Sequence, residues 1–290
     1  MKRVLTIIVT YNFEPWLDKC IQSLLSSTYP NDVLILDNNS QDTTVQSIKQ
    51  RYPSIRMIAN SSNLGFGRAN NVGLNIALKE GYDFAFLVNQ DAWIASDCLE
   101  RLIAGCQDEF GIISPMHLDG TERKLDKGFA DYIKNATEKD NYGVVPFINA
   151  AFWLLPIHVL KTIGGFSPIF FHYGEDKDYA NRIRYHQLKT AFIKDAFAYH
   201  DRQNRPFKRE AYYKGEFVYH LTEYCNINYN CMTAFGNSFG ASLKKAITAV
   251  LKLNFNDGGD YFKIAWRIFC LTPNVIKTRS FNKRAEQAIL

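Results

Sequence analysis

No stretch of this 290-residue chain approaches the roughly 20 consecutive apolar residues that a membrane-spanning helix needs. Residues 144–157 come nearest, and Pro146, Asn149 and Pro156 interrupt them. The start, MKRVLTIIVTYN, has a basic pair followed by an apolar run of only about six residues, short of a signal-peptide core. Six cysteines, Cys20, Cys98, Cys106, Cys225, Cys231 and Cys270, include no C-x-x-C pair and no zinc-like spacing with the six histidines. Free thiols in a reducing compartment are therefore expected, and with them a cytoplasmic location. No internal repeat is present. Gly65-Phe66-Gly67 lacks the third glycine of a dinucleotide fingerprint and follows the third apolar run rather than the first, which disfavours a Rossmann dinucleotide site.

What is present describes a globular chain. Hydrophobic residues make up 47% and charged residues 22%, which argues against global disorder. The 14% aromatic content is high, as suits ring packing, sugar or base stacking, or membrane-interface contact. The formal charge of +5 is unevenly spread: residues 1–200 carry 20 Lys+Arg against 22 Asp+Glu, whereas residues 201–290 carry 14 against 7. A basic, aromatic tail either meets an anionic membrane surface or presents a solvated helical face. Nucleic acid is not expected as a partner.

Residues 4–9, VLTIIV, form the continuous β-branched run of a strand buried on both faces of a parallel sheet. Further strands are predicted at 33–36, 55–59, 84–88 and 190–193, with helices over 17–25, over 43–51 and from the 63–71 stretch to about Lys79. Strands alternating with helices predict an α/β fold on a mostly parallel sheet, in which ligands bind beyond the carboxyl ends of the strands. The first four strands each end in a polar cluster: Thr10 and Asn12, Asp37 and Asn39, Asn60 and Asn63, Asn89 and Asp91. One such cluster is ordinary turn chemistry, but four at one edge make a rim suited to a nucleotide. Arg68 is either a phosphate clamp or a surface ion-pair residue. Asp91 is either a ligand for a hard metal at a diphosphate or a strand-end turn, and His200 either its partner ligand or a structural histidine. The polar, lysine-rich stretch 115–142 predicts a flexible loop or lid. From Tyr212 the tail reads as helices broken at Gly258-Gly259.

The densest chemistry lies at 172–184, HYGEDKDYANRIR. Glu175, Asp176 and Asp178 fall in the first turn of a predicted helix, where the helix dipole and free amides favour carboxylates. Capping alone would explain them. Beside them stand Gly164-Gly165, the aromatics Phe166, Phe170, Phe171 and Tyr173, and later Arg182 and Arg184, either for a phosphate-bearing acceptor or as ion pairs. A carboxylate held by an apolar wall beside a cleft is how a general base is positioned. Trp93 and Trp153 are the aromatics with the best claim to stack on sugars; core packing is the alternative.

Taken in order, Ile7-Ile8-Val9-Thr10-Tyr11-Asn12, Asp37-Asn38-Asn39-Ser40, Asn63-Leu64-Gly65-Phe66-Gly67-Arg68-Ala69-Asn70-Asn71, Leu87-Val88-Asn89-Gln90-Asp91 and Gly164-Gly165-Phe166 through Glu175-Asp176-Lys177-Asp178 resemble the ordered motifs of family 2 glycosyltransferases, in the rhamnosyltransferase-like subgroup. The resemblance covers roughly residues 4–205. It implies a GT-A fold with a mostly parallel central sheet and a C-terminal helical extension, divided as a catalytic domain, 1–211, and a helical region, 212–290, in contact with a membrane or not. It implies an inverting transfer from a nucleotide-diphosphate sugar, dTDP- or UDP-linked, to a hydroxyl of a glycan or lipid-linked saccharide in bacterial surface polysaccharide synthesis. Thr10, Tyr11, Asn12 and Asp37 would hold base and ribose. Asn63, Gly65, Arg68, Asn70 and Asn89 would lie along the ribose and diphosphate, and Asp91 with His200 would bind Mg²⁺ or Mn²⁺. Asp176 would be the catalytic base, with Glu175, Asp178, Trp93 and Trp153 near the acceptor or in support. Asn89 stands where the D-x-D-type motif often has Asp, and residues 149–155, NAAFWLL, replace a segment that in relatives often carries paired basic residues. A nucleotidyltransferase-like enzyme and a non-catalytic nucleotide-sugar-binding relative remain the alternatives.

Overall fold

Strand β1 (Val4–Thr10) lies between β2 (Asp32–Asp37) and β4 (Phe84–Asn89), both parallel to it, and β3 (Arg56–Ala59) extends the parallel run beyond β2. The computed structural model describes residues 1–201 and 207–284. Among these, β5 (Ala92–Ile94), β6 (Phe110–Asp119), β7 (Thr137–Glu138), β8 (Tyr142–Val145), β9 (Phe152–Pro156) and β10 (Lys189–His200) complete one mixed sheet. Its order is β3-β2-β1-β4-β9-β6-β10-β8-β7, with β5 antiparallel to the end of β10.

Alternation along the strands builds two cores. Val4 and Ile8 with Phe84, Phe86 and Val88 face α1 (Leu17–Leu25), α2 (Thr44–Arg51) and α4 (Cys98–Ala104). Leu5 and Ile7 with Ala85 and Leu87 face α3 (Phe66–Lys79), α6 (Ile157–Ile163) and α7 (Glu175–Tyr185). A strand apolar on both sides is what such a two-faced sheet requires. The remaining helices, α8 (Arg209–Cys225), α9 (Cys231–Phe235), the π-helical turn Gly236–Gly240, α10 (Ala241–Leu251), α11 (Phe255–Cys270) and α12 (Thr272–Asn282), share a third core. Phe170 from the loop before α7 joins that core, so the helical layer is keyed to the segment carrying the carboxylates. No helix among the described residues is long and apolar enough to cross a membrane.

Three expectations are corrected. The 115–142 stretch is not a loose lid: β6 runs to Asp119, α5 (Lys127–Ile133) follows with an Asp126 cap, and Phe129 packs with Val145, Ile148 and Phe192 in a small core of its own. Gly258-Gly259 does not break the tail but lies inside α11, where a Cβ on Gly258 would come 2.6 Å from Val250, so the glycine allows α10 and α11 to approach. The 190–193 strand extends from Lys189 to His200, carried past an irregularity between Ile193 and Phe197 in its pairing with β6. Residues 202–206 and 285–290, within the expected catalytic and helical regions respectively, lie outside the described residues.

Candidate active site

The carboxyl ends of β1 to β4 make one polar rim. The Thr10 hydroxyl donates to Asp37 Oδ1 at 3.0 Å, and Ser40 donates its amide to Asp37 Oδ2 at 2.9 Å and its hydroxyl to Oδ1 at 2.5 Å. Thr10 and Asp37 are buried, so in this structure they shape the rim from beneath. Asn12, at φ 54°, gives its amide to Ser40 Oγ and accepts from the Gln41 amide, both at 2.9 Å. Tyr11 is fixed by a reciprocal pair: its N–H donates to Gln90 Oε1 at 2.7 Å, and the Gln90 amide returns a bond to its carbonyl at 3.1 Å. Its ring is left 44% exposed over the rim, the right placement for stacking.

Asn63 accepts the Gly65 amide at 2.9 Å, shaping the turn into α3. Gly65 has φ 80°, and a Cβ there would lie 2.0 Å from the Phe171 carbonyl oxygen; only glycine lets the α3 entry and the pre-α7 loop meet. Asn70 is buried and bonded to the Phe66 carbonyl of its own helix at 3.0 Å. Arg68 turns to the Pro168 carbonyl at 2.9 Å and lines a cavity of about 400 Å³ with Lys277 and Thr278 of α12. The structure therefore gives Asn70 a helix contact and Arg68 a loop contact, and does not gather them with Asp91.

Asn89, Gln90 and Asp91 connect β4 to β5. The Asn89 amide donates to the Ala151 carbonyl at 2.9 Å. Asp91 Oδ1 stands 3.2 Å from His200 Nε2, because β5 and β10 pair with His200 opposite Ala92. His200 is 5% exposed and its Nδ1 has no partner, so the ring is committed through Nε2 to the Asp91 side. Among the described residues no group of three or more His, Cys, Asp or Glu side chains forms a potential metal site. The pair nevertheless fits as part of one: two neighbouring ligands on an octahedral ion at about 2.1 Å stand about 3 Å apart, and oxygens of a diphosphate would complete a hard cation's shell.

The α7 start supplies the carboxylates. Tyr173 and Gly174 are both left-handed, at φ 68° and 88°, and a Cβ on Gly174 would strike Val218 and Thr222 of α8, so the loop turns tightly against that helix. Asp176 emerges half-buried on a cavity of about 660 Å³ between the loop and α8. Burial pushes its carboxyl above the ordinary range, opposed by backbone amides of Lys177 and Ala150. The Ala150 amide is one of the backbone groups favouring the ionised Asp176, and the next residue, Ala151, accepts the Asn89 amide of β4. Glu175 is 4% exposed with Oε2 unpartnered; burial first, then the Asp176 charge, pushes it up to about 7. Asp178 is buried 3.0 Å from Arg182, whose guanidinium also bonds the carbonyls of Ile163 and Gly165 at 2.7 and 2.8 Å. That pair braces the glycine turn, so of the two alternatives for Arg182 the structure shows the ion pair, buried rather than at the surface. Arg184 is more exposed, on the side of a different cavity beside Lys189.

Trp153 is corrected as a sugar platform: it is fully buried, with its ring centroid 6.0 Å from that of Phe166 and 5.6 Å from that of Tyr179. Trp93 is 6% exposed, covered by Lys19 3.4 Å above the ring and bonded to Glu122 at 2.8 Å. The exposed rings lining the Asp176 cavity are instead Tyr173 and Tyr219. Sequence reading missed Ala150, whose contribution is a backbone amide, and the α8 wall of the Asp176 cavity, which includes Lys214, Tyr219 and Glu223. The Gln90 tie to Tyr11 had a signal, since Gln90 sits inside the β4 motif.

A mixed sheet with a polar carboxyl edge, a carboxylate–imidazole pair at its strand ends and a carboxylate at a helix start makes an α/β site of the enzyme type. The model of the family described as glycosyl transferase family 2 matches residues 6–155, just over half of the chain. The chain belongs to this family. An N-acetylglucosaminyl-diphospho-decaprenol L-rhamnosyltransferase of Mycobacterium tuberculosis is 42% identical over 73 residues, 24% of this chain and 24% of that one. Glycosyltransferase GlyA of Streptococcus pneumoniae is 28% identical over 103 residues, 34% of this chain and 14% of that one. The chain thus aligns with a quarter or less of these curated relatives' length. Residues 1–349 of S. aureus TarS in complex with UDP superpose with a TM-score of 0.59 at 16% identity, covering 97% of this chain and 88% of that one. Mannosyltransferase PcManGT from Pyrobaculum calidifontis, in complex with GDP-Man and Mn²⁺, gives 0.54 at 15% identity, covering 97% and 86%. At these identities the likeness shows the fold, which is GT-A.

Proposed function

We propose that this chain is a glycosyltransferase that moves a sugar, with inversion, from a dTDP- or UDP-linked donor to a hydroxyl of a lipid-linked saccharide at the inner face of the cell membrane, in surface polysaccharide synthesis. The observation that carries the reading is the Asp91–His200 pair, 3.2 Å apart at the polar strand-end rim, on a chain whose Asp176 opens onto a cavity at the start of α7. Tyr11 and Asn12, held from beneath by Thr10 and Asp37, take base and ribose; Asn63 and Gly65 shape the neighbouring loop. Asp176 accepts the acceptor hydroxyl's proton as the new C1–O bond forms and the bond from C1 to the nucleoside diphosphate breaks; such a base contributes roughly 10²–10⁴ in rate. Asp91 and His200 would hold Mg²⁺ or Mn²⁺, whose charge, when bound, offsets that developing on the departing diphosphate.

An acceptor on a lipid diphosphate is what the named mycobacterial relative uses, and the balance of 14 basic to 7 acidic residues in 201–290 suits an anionic surface. We divide the chain accordingly into 1–211 for catalysis and 212–290 for support and membrane contact. The reading is tested by incubating the protein with a panel of dTDP- and UDP-sugars, Mg²⁺ or Mn²⁺, and sugar-diphospho-prenol acceptors. Metal-dependent release of nucleoside diphosphate matched by glycosylated acceptor is expected with one donor. Nucleotide release without sugar transfer would contradict it.

A further inference from the structure

Two cavities meet where the loop before α7 faces α8. The first, of about 660 Å³, runs from Asp176 along α8, and the second, of about 960 Å³, continues between residues 169–173 and the facing sides of α8 and α11. They share His172, Tyr173, Lys214 and Val218, so they form one groove. Its chemistry changes along its length. At the Asp176 end stand carboxylates and Lys177; at the far end the walls are Phe170, Phe217, Leu221, Ile264 and Leu271, with the Arg267 guanidinium 3.8 Å over the Phe217 ring. At the junction is Lys214, exposed and without an ion pair among the described residues, whereas Arg209 and Lys263 farther along are held by Asp257 and Asp260. On its face away from the groove, α11 exposes Phe262, Trp266 and Phe269, 45%, 66% and 50% exposed.

A polar end at the base, an exposed lysine at the middle and a largely apolar far wall match one kind of molecule in sequence: saccharide, phosphate, hydrocarbon. We propose that this groove is the acceptor site, with the accepting sugar beside Asp176, a diphosphate at Lys214 and the first isoprene units of a prenyl chain along the wall of Phe217, Leu221 and Ile264. The proposal rests on the glycosyltransfer reading above and names the residues of this chain that would select its acceptor. Phosphate prefers an unpaired cation, since a lysine already shared with carboxylates must first give them up. The apolar wall then adds affinity in proportion to the chain area it covers, about 25 cal/mol per Å².

The test is calorimetric titration of the whole protein with farnesyl diphosphate below its micelle-forming concentration, and separately with UDP and dTDP. Farnesyl diphosphate is expected to bind the wild type, and Lys214→Glu and Phe217→Ala each to weaken it at least tenfold, with nucleotide affinity unchanged. Lys214 is exposed and has no ion pair among the described residues, so its replacement leaves the fold intact. Absent binding, or equal binding by wild type and both variants, would overturn the proposal, as would dihexanoyl phosphatidylglycerol binding as tightly with the same sensitivity, which would assign the groove to membrane lipid. If neither nucleotide binds any of the proteins, the donor reading fails instead, and the farnesyl diphosphate result still decides the groove.

Discussion

Three carboxylates stand within four residues on α7, and their surroundings separate their roles. Asp178 is neutralised by Arg182 in the interior; replacing that arginine with Met strands a buried charge and is expected to cost about 3–5 kcal/mol in urea denaturation, with part recovered in the Arg182→Met/Asp178→Asn double variant. Glu175 is held at about 7, mainly by burial, against an ordinary value of 4.5. The folded state therefore keeps a proton that the unfolded chain releases, so its contribution to stability is full below pH 4.5 and declines as pH rises toward 7. Glu175→Gln should remove that decline: the melting temperature of the variant relative to wild type should climb between pH 4.5 and 7, and a flat difference would contradict the assignment. Asp176 alone reaches the cavity, which is why it is the base candidate. Sequence placed all three in one helical turn but could not divide their roles, because burial and the Arg182 contact arise only when the turn folds onto residues 163–165.

At the scale of elements, the alternating strands and helices through β4 were legible because each strand is a compact β-branched run bounded by polar turns. The lysine-rich 115–142 stretch misled because α5 and its small core depend on side chains of β8 and β10, distant in sequence. Trp153 misled for the same reason: β9 inserts it between β4 and β6, beneath α7. The meeting of α3 with the pre-α7 loop was visible only as a G-x-G. Its physical content is the Gly65 contact with Phe171, so Gly65→Ala is expected to lose about 1–3 kcal/mol of stability, from left-handed strain and displacement of the loop. The β5–β10 pairing that joins Asp91 to His200 predicts that Asp91→Asn and His200→Ala each raise the Mg²⁺ or Mn²⁺ concentration needed for half-maximal transfer, while chelation with EDTA silences the wild type. Metal response unchanged in both would contradict that assignment.

At the scale of the molecule, a GT-A sheet and a helical layer share Phe170 and enclose the groove that starts at Asp176. The layer's outer aromatics and basic residues predict flotation with anionic vesicles that falls as salt rises, and falls further in Lys252→Glu/Trp266→Glu. Absence from anionic and neutral vesicles alike would remove membrane contact from the account. The central claim is that Asp176 is the base, and single-turnover transfer by Asp176→Asn with nucleotide affinity measured on the same sample tests it most directly. A loss of roughly 10²–10⁴ in rate at unchanged nucleotide affinity is the predicted result. Transfer at the wild-type rate would contradict it.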